Sequence, residues 1–182
     1  LVMLAKLKTA LVLVIIGGFS GLAIWATNEA TYETIIENAR IKEENFYKEI
    51  FDLDSDFEIE FEKTDTDGLI NQEVTIKNKN TQEVIGIIYR GYEKNSYGDM
   101  TVLVGIDLDG NISKVIISDT SNTPNYVKKL TKSTDTVPSY IDHFANQSYD
   151  DFTIDSSTGA SYSYGSVSKI VEAATNTYGG AQ

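Results

Sequence analysis

"MTVLVGIDLDGNISKVIISDT", Met100 to Thr120, decides how the chain folds. Two β-branched runs flank Asp109-Gly110, a pair suited to the positive φ of a tight turn. The stretch therefore predicts a hairpin of two antiparallel strands. Asp107 and Asp109 are explained by that turn.

Working upstream, "EVIGIIYRGYE" is a more continuous apolar strand that is expected to end near Gly91, and "EVTIKNK" turns Val74 and Ile76 inward. "FEIEFEK" alternates throughout, with Phe57, Ile59 and Phe61 on one face and Glu58, Glu60 and Glu62 on the other. That is a half-buried strand with a solvated acidic side. Downstream, residues 131–147 give weaker signals, with a short helix expected around "PSYIDHFAN". Val167, Ile170, Val171 and Ala174 recur at i, i+3, i+4 and i+7, which marks a C-terminal amphipathic helix. Strands and helices do not alternate regularly, so a doubly wound parallel sheet is disfavoured. The expected class is α+β: antiparallel twisted sheets flanked by helices, preceded by one N-terminal transmembrane helix.

That last element rests on residues 10–26, "ALVLVIIGGFSGLAIWA", seventeen positions without a charge. At about 1.5 Å per residue they cover roughly 25 Å, slightly less than a hydrocarbon core of about 30 Å. Thr9 and Thr27 extend the span at small cost, and Trp25 suits an interfacial belt. Lys6 and Lys8 precede it, which predicts a cytoplasmic N-terminus and an extracytoplasmic main domain. A cleaved signal peptide is the rival, but "AIWA" puts bulky residues where small ones are wanted. The expected division is 1–27 for the cytoplasmic stub and anchor in the lipid bilayer, and 28–182 for the extracytoplasmic domain. Ile35, Ile36, Ala39, Phe46, Tyr47 and Ile50 recur at roughly helical intervals and give the latter a membrane-proximal helix.

Charge and composition exclude several functions. The net charge is −12; with Lys6 and Lys8 set aside, 27 acids face 13 bases, a net of −14 for the rest. So acidic a surface repels phosphate backbones, and nucleic acid is a poor partner. Without cysteine there is no disulfide framework and no thiolate metal site. Asp52, Asp54 and Asp56 fit the first positions of a calcium loop, but Phe57 and Lys63 stand where glycine and glutamate are required. His143 is the one histidine, so a multi-histidine metal site is excluded. A serine hydrolase built on Ser161 or Ser163 lacks the second glycine of a nucleophile elbow.

"DSSTGASYSYGSVSKI", Asp155 to Ile170, crowds hydroxyls around Gly159-Ala160 just before a helix expected to begin near Ser163 or Gly165. A helix cap needs one such hydroxyl. The surplus, with small residues that admit a close backbone approach, suits a phosphate at the positive end of the helix. Both readings stand on the residues alone.

"DSSTGAS" resembles the flavinylation pattern Asp-x-x-(Ser/Thr)-Gly-Ala-(Thr/Ser). That pattern marks the FMN-binding domains of the G subunit of the Rnf complex and the C subunit of the sodium-pumping NADH:quinone oxidoreductase. The single N-terminal span, the "TYETIIENA" helix and "GYEKNSYGDMTVLVGIDLDGNISKVIISDTSNTP" resemble the Rnf G subunit in the same order. The resemblance implies FMN joined through a phosphoester to Ser161 by a separate flavin transferase. Asp155, Thr158, Gly159 and Ala160 complete the pattern, and Ser163, two residues beyond Ser161, is expected to contribute to the same cofactor site. It further implies an electron-transfer subunit among the other membrane subunits of an Rnf-type, ion-translocating ferredoxin:NAD oxidoreductase. A flavinylated carrier of an extracellular electron-transfer chain and a flavin-free binding or assembly domain are the alternatives. The family usually has Thr as acceptor. Its Glu-Thr-Pro-Gly-Leu-Gly loop appears here as Asn122 to Val127, keeping Thr123 and Pro124 and offering Tyr126 as a ring to stack on the flavin.

Overall fold

The computed structural model describes residues 2–54, 57–62, 68–133, 138–151, 153 and 161–180, with the backbone alone for residues 2–5, 61 and 62. The chain divides into two compact units, 1–44 and 45–182.

The described residues of the first unit are all helical, as part of one continuous helix, α1 (Val2–Phe51). The anchor and the helix expected to lead from it into the domain both lie within α1. Its apolar stretch is exposed all round, from Leu11 to Trp25. α1 is thus one helix long and apolar enough to cross a membrane. Thr27 Oγ1 donates to Ala23 O at 2.9 Å, so its hydroxyl is satisfied within the helix. Farther along, Arg40 pairs with both Glu37 and Glu44 on the exposed face. Such pairs one turn apart suit a helix segment in water.

The second unit is built on one five-stranded antiparallel sheet with the order β1-β2-β3-β4-β5, a plain meander. The strands are β1 (Phe57–Glu62), β2 (Ile70–Asn78), β3 (Val84–Asn95), β4 (Gly98–Asp107) and β5 (Ile112–Thr120). The β4–β5 hairpin forms as the sequence predicts. Gly110 takes φ 82°, and Asp107 Oδ1 accepts hydrogen bonds from Asp109 N at 3.0 Å and Asn111 N at 2.8 Å. β3 runs four residues past Gly91, where the sequence placed its end, and turns through Ser96-Tyr97 into β4.

Both faces of the sheet are covered, which explains why its central strands read as continuous apolar runs. One face receives the end of α1: Tyr47 and Ile50 pack on Val74, Ile76, Ile88, Leu103 and Ile116, with Phe57 and Ile59 at the margin. The backbone of β4 approaches α1 closely here. A methyl on Gly105 would collide with Ile50 Cγ2.

The other face receives three elements. They are α2 (Pro124–Thr131), a single 3-10 turn over Ile141–Phe144, and α3 (Ser161–Gly180). The turn accounts for the short helix expected at "PSYIDHFAN", and His143 within it is exposed. The expected inward stripe of α3, Val167, Ile170, Val171 and Ala174, is fully buried against Tyr89, Val102, Val104 and Ile106. Burying each larger aliphatic chain of such a stripe is worth roughly 1.5–3 kcal/mol. α2 was not anticipated, because the segment from Thr123 reads as a loop. Pro124 occupies the helix's first turn, where its missing N–H costs nothing, and Leu130 is buried beneath it.

Candidate functional site

The site assembles where the β3–β4 turn, the start of α2 and the start of α3 meet. β3 is laced to α3 by successive inward positions. Gly91 lets Ile170 pack directly on the strand, since a methyl there would overlap Ile170 Cγ2. Two residues on, Glu93 Oε1 pairs with Lys169 Nζ at 2.6 Å. Asn95 Nδ2 then donates to Ser166 Oγ at 2.8 Å, while Asn95 Oδ1 accepts from Tyr97 N at 2.8 Å. This lacing brings Tyr97 to Tyr162, edge to face, with centroids 5.2 Å apart.

The segment leading to α2 is stitched to the start of β4. Gly98 has φ 131°, and a Cβ there would strike Ser121 Oγ and Ser121 O. Only glycine meets both demands. Ser121 Oγ accepts from Asp99 N at 2.8 Å, and Thr120 Oγ1 and Asn122 Nδ2 both donate to Asp99 O at 3.0 Å. Asn122 is buried, and its Oδ1 accepts a hydrogen bond from Ser163 Oγ at 2.7 Å. Thr123 stands at the N-cap of α2, exposed, and its carbonyl accepts from Tyr126 N at 2.9 Å; its side chain makes no capping bond.

Three tyrosines result in one cluster: Tyr126 lies 4.8 Å from Tyr97 at a 32° tilt, and Tyr97 meets Tyr162. Such separations are those of attractive aromatic pairs. Lys129 Nζ sits 5.6 Å from the centre of the Tyr126 ring. Hydrogen bonding with Tyr126, and then its charge, holds the Tyr97 phenol above its usual range. Tyr162 is 54% exposed, so the cluster reaches the surface at that ring.

Ser161 is the first residue of α3 and is exposed. α3 as described thus starts two residues before Ser163 and four before Gly165, the two expected starts, and Ser161 lies within its first turn. N–H groups of a first turn have no partner inside the helix, and the macrodipole favours an anion there. Asp155, Thr158, Gly159 and Ala160 lie outside the described residues. Ser163 points inward rather than to solvent, and its hydroxyl is committed to Asn122.

Beside the cluster, Tyr92, Asp99, Thr101, Asp119, Thr120 and Ser121 line an open recess of about 240 Å³. Tyr92 donates to Asp99 Oδ1 at 2.7 Å, which raises the pKa of its phenol. With two carboxylates in its wall the recess disfavours phosphate. The anion-friendly end of the site is the start of α3.

Sequence reasoning did not find Tyr97, Tyr162 or the Asn122–Ser163 bond. The signal for Tyr97 was present: "NSYG" between strand-like runs is a two-residue hairpin tip with glycine where φ turns positive. Nothing local announces Tyr162, whose partner lies 65 positions away.

Residues 96–176 match the family model of the FMN-binding domain. The match opens at the β3–β4 turn and ends within α3, so it takes in Tyr97, Tyr126, Ser161 and Tyr162. Over those residues the chain is similar to an FMN-binding domain, the same family as the Rnf G-subunit resemblance seen in the sequence. The match supports a flavin-binding, electron-transfer role in a chain that also carries one helix long and apolar enough to span a membrane. No curated protein matches the chain.

Proposed function

We propose that this protein is a membrane-anchored electron-transfer subunit with FMN esterified to Ser161, working beside the membrane subunits of an Rnf-type complex. The observation that carries the reading is the position of Ser161. It ends the flavinylation pattern, opens α3 in the exposed first turn, and directly precedes the outermost ring of the tyrosine cluster.

The residues present fit FMN. Attachment joins Ser161 Oγ to the FMN phosphorus, breaks the pyrophosphate bond of FAD, and releases AMP and the serine proton; a flavin transferase catalyses it. The first-turn amides of α3 would hold the FMN phosphate. Tyr97, Tyr126 and Tyr162 offer the aromatic surface for the ring system, and Lys129 adds positive charge at its rim. Flavin supplies one-electron redox chemistry once bound. Asn122 and Ser163 keep the α3 start and the α2 segment in register, so ester and stacking surface stay together. Thr123 fixes the entry to α2 and thereby the position of Tyr126. α1 holds the domain at the bilayer, with the N-terminus cytoplasmic by its two lysines.

The test is intact mass of the full chain purified from membranes of cells that express a flavin transferase. An FMN-sized adduct on the peptide containing Ser161, lost in Ser161→Ala, is expected; an unmodified mass in the parent chain overturns the proposal. Co-purification of Rnf-type subunits separates this reading from a carrier in an extracellular chain.

A further inference from the structure

We propose that the exposed lysine face of α2 is a docking surface for an acidic redox protein that exchanges electrons at the tyrosine cluster. The inference rests on the flavin reading above and names the kind of partner that site would serve. Lys128, Lys129 and Lys132 are all exposed, while Leu130 anchors the other side of the helix in the core. No acid occurs between Thr120 and Thr134, so these three charges form a positive island on a chain of net charge −12.

Three other lysines of the same unit are paired: Lys77 with Glu60, Lys114 with Glu49 and Lys169 with Glu93. Among the described residues no ion pair engages the three on α2. The surrounding acids repel a negative partner at long range, but charges beyond about 8 Å are largely screened at physiological ionic strength. At contact the island decides the orientation. It is also continuous with the site: Lys129 lies over Tyr126, Tyr126 on Tyr97, and Tyr97 against Tyr162, the neighbour of Ser161. A partner seated on these lysines faces the aromatic surface. An anionic bilayer seated there would cover it, which favours a protein.

The experiment uses the full chain in detergent, flavinylated by co-expressed transferase, and three probes. These are acidic plastocyanin, basic cytochrome c, and vesicles containing phosphatidylserine. At about 0.1 M salt, the combined change Lys128→Glu, Lys129→Glu and Lys132→Glu is expected to weaken plastocyanin binding roughly tenfold, two- to threefold per rim charge. Raising salt to about 0.5 M weakens binding of the parent chain, and cytochrome c binding is not weakened by the triple change. Plastocyanin binding indifferent to the triple change overturns the proposal. So does lysine-dependent vesicle binding without plastocyanin binding, which assigns the face to lipid. Binding is also read on Ser161→Ala: lysine-dependent capture that persists there supports the docking surface even if the mass measurement shows no flavin. A flavinylated chain whose binding ignores the lysines defeats the docking surface alone.

Discussion

Ser163 Oγ, in the first turn of α3, donates to the buried Asn122 Oδ1 at 2.7 Å and so ties the start of α3 to the approach to α2. Both groups are out of water, and removing one leaves the other without its partner. Ser163→Ala should cost about 1–3 kcal/mol of stability. A double-mutant cycle with Asn122→Ala should return a coupling of roughly 1 kcal/mol. Denaturant unfolding of the two single variants and the double variant measures it; additive losses would contradict the tie.

The Asn95–Ser166 bond places Tyr97 against Tyr162, so weakening it should be felt at the cofactor before it is felt by the fold. Asn95→Ala is expected to lower stability by about 1 kcal/mol. In the flavinylated protein it should also raise native flavin emission, as Tyr97→Leu should, because a ring that quenches by stacking is displaced or lost. Steady-state fluorescence at matched flavin content reads this. Emission unchanged in both variants means that the cluster is not the flavin's surface.

Serine and threonine present the same nucleophilic oxygen, so Ser161→Thr should retain the adduct that Ser161→Ala loses. Fluorescence of the band in a denaturing gel distinguishes them. A dark threonine variant would show that the first turn of α3 has no room for the extra methyl.

Gly105 lies under Ile50, so Gly105→Ala forces the last turn of α1 off the sheet. The expected cost is about 1–3 kcal/mol, with faster proteolytic cutting near Phe51. A parent-like melting temperature and cutting pattern would show that the close approach is not needed.

Tyr89 is fully buried, and among the described residues its hydroxyl has no hydrogen-bond partner. Burial, then the Glu73 charge, pushes its phenol well above the usual range. A pKa raised on folding gives stability that is complete below about pH 10, where the unfolded tyrosine ionises, and is lost as pH climbs above it. Tyr89→Phe removes that loss along with an unsatisfied hydroxyl. It should be as stable as the parent or more so at pH 7, and its melting temperature should fall less between pH 9 and pH 11. Equal alkaline slopes would rule the assignment out.

Much of the fold was open to reading along the chain. Asp109-Gly110 announced its hairpin, the β1 and β2 alternation announced its buried face, and Val167 to Ala174 announced the inward side of α3. These signals are local: a residue's periodicity reports whether its own face meets water. The far end of β3 hid from the same logic, because Glu93 and Asn95 are polar yet turn inward. They do so only because Lys169 and Ser166 of α3 arrive to pair with them. α2 hid because Pro124 and Asn125 read as a turn, and only the seat for Leu130 in the core makes the helix worthwhile.

Ser161 and the pattern it ends were visible in the sequence, and so was the apolar stretch that makes α1 long enough to span a membrane. What surrounds the serine was settled by folding. Tyr97, Tyr126 and Tyr162 come from three separate elements, and Asn122 and Ser163 lie 41 positions apart. Hydropathy along a chain states which side of an element is buried but not what it is buried against. That choice belongs to the packing of α2 and α3 on one face of the sheet.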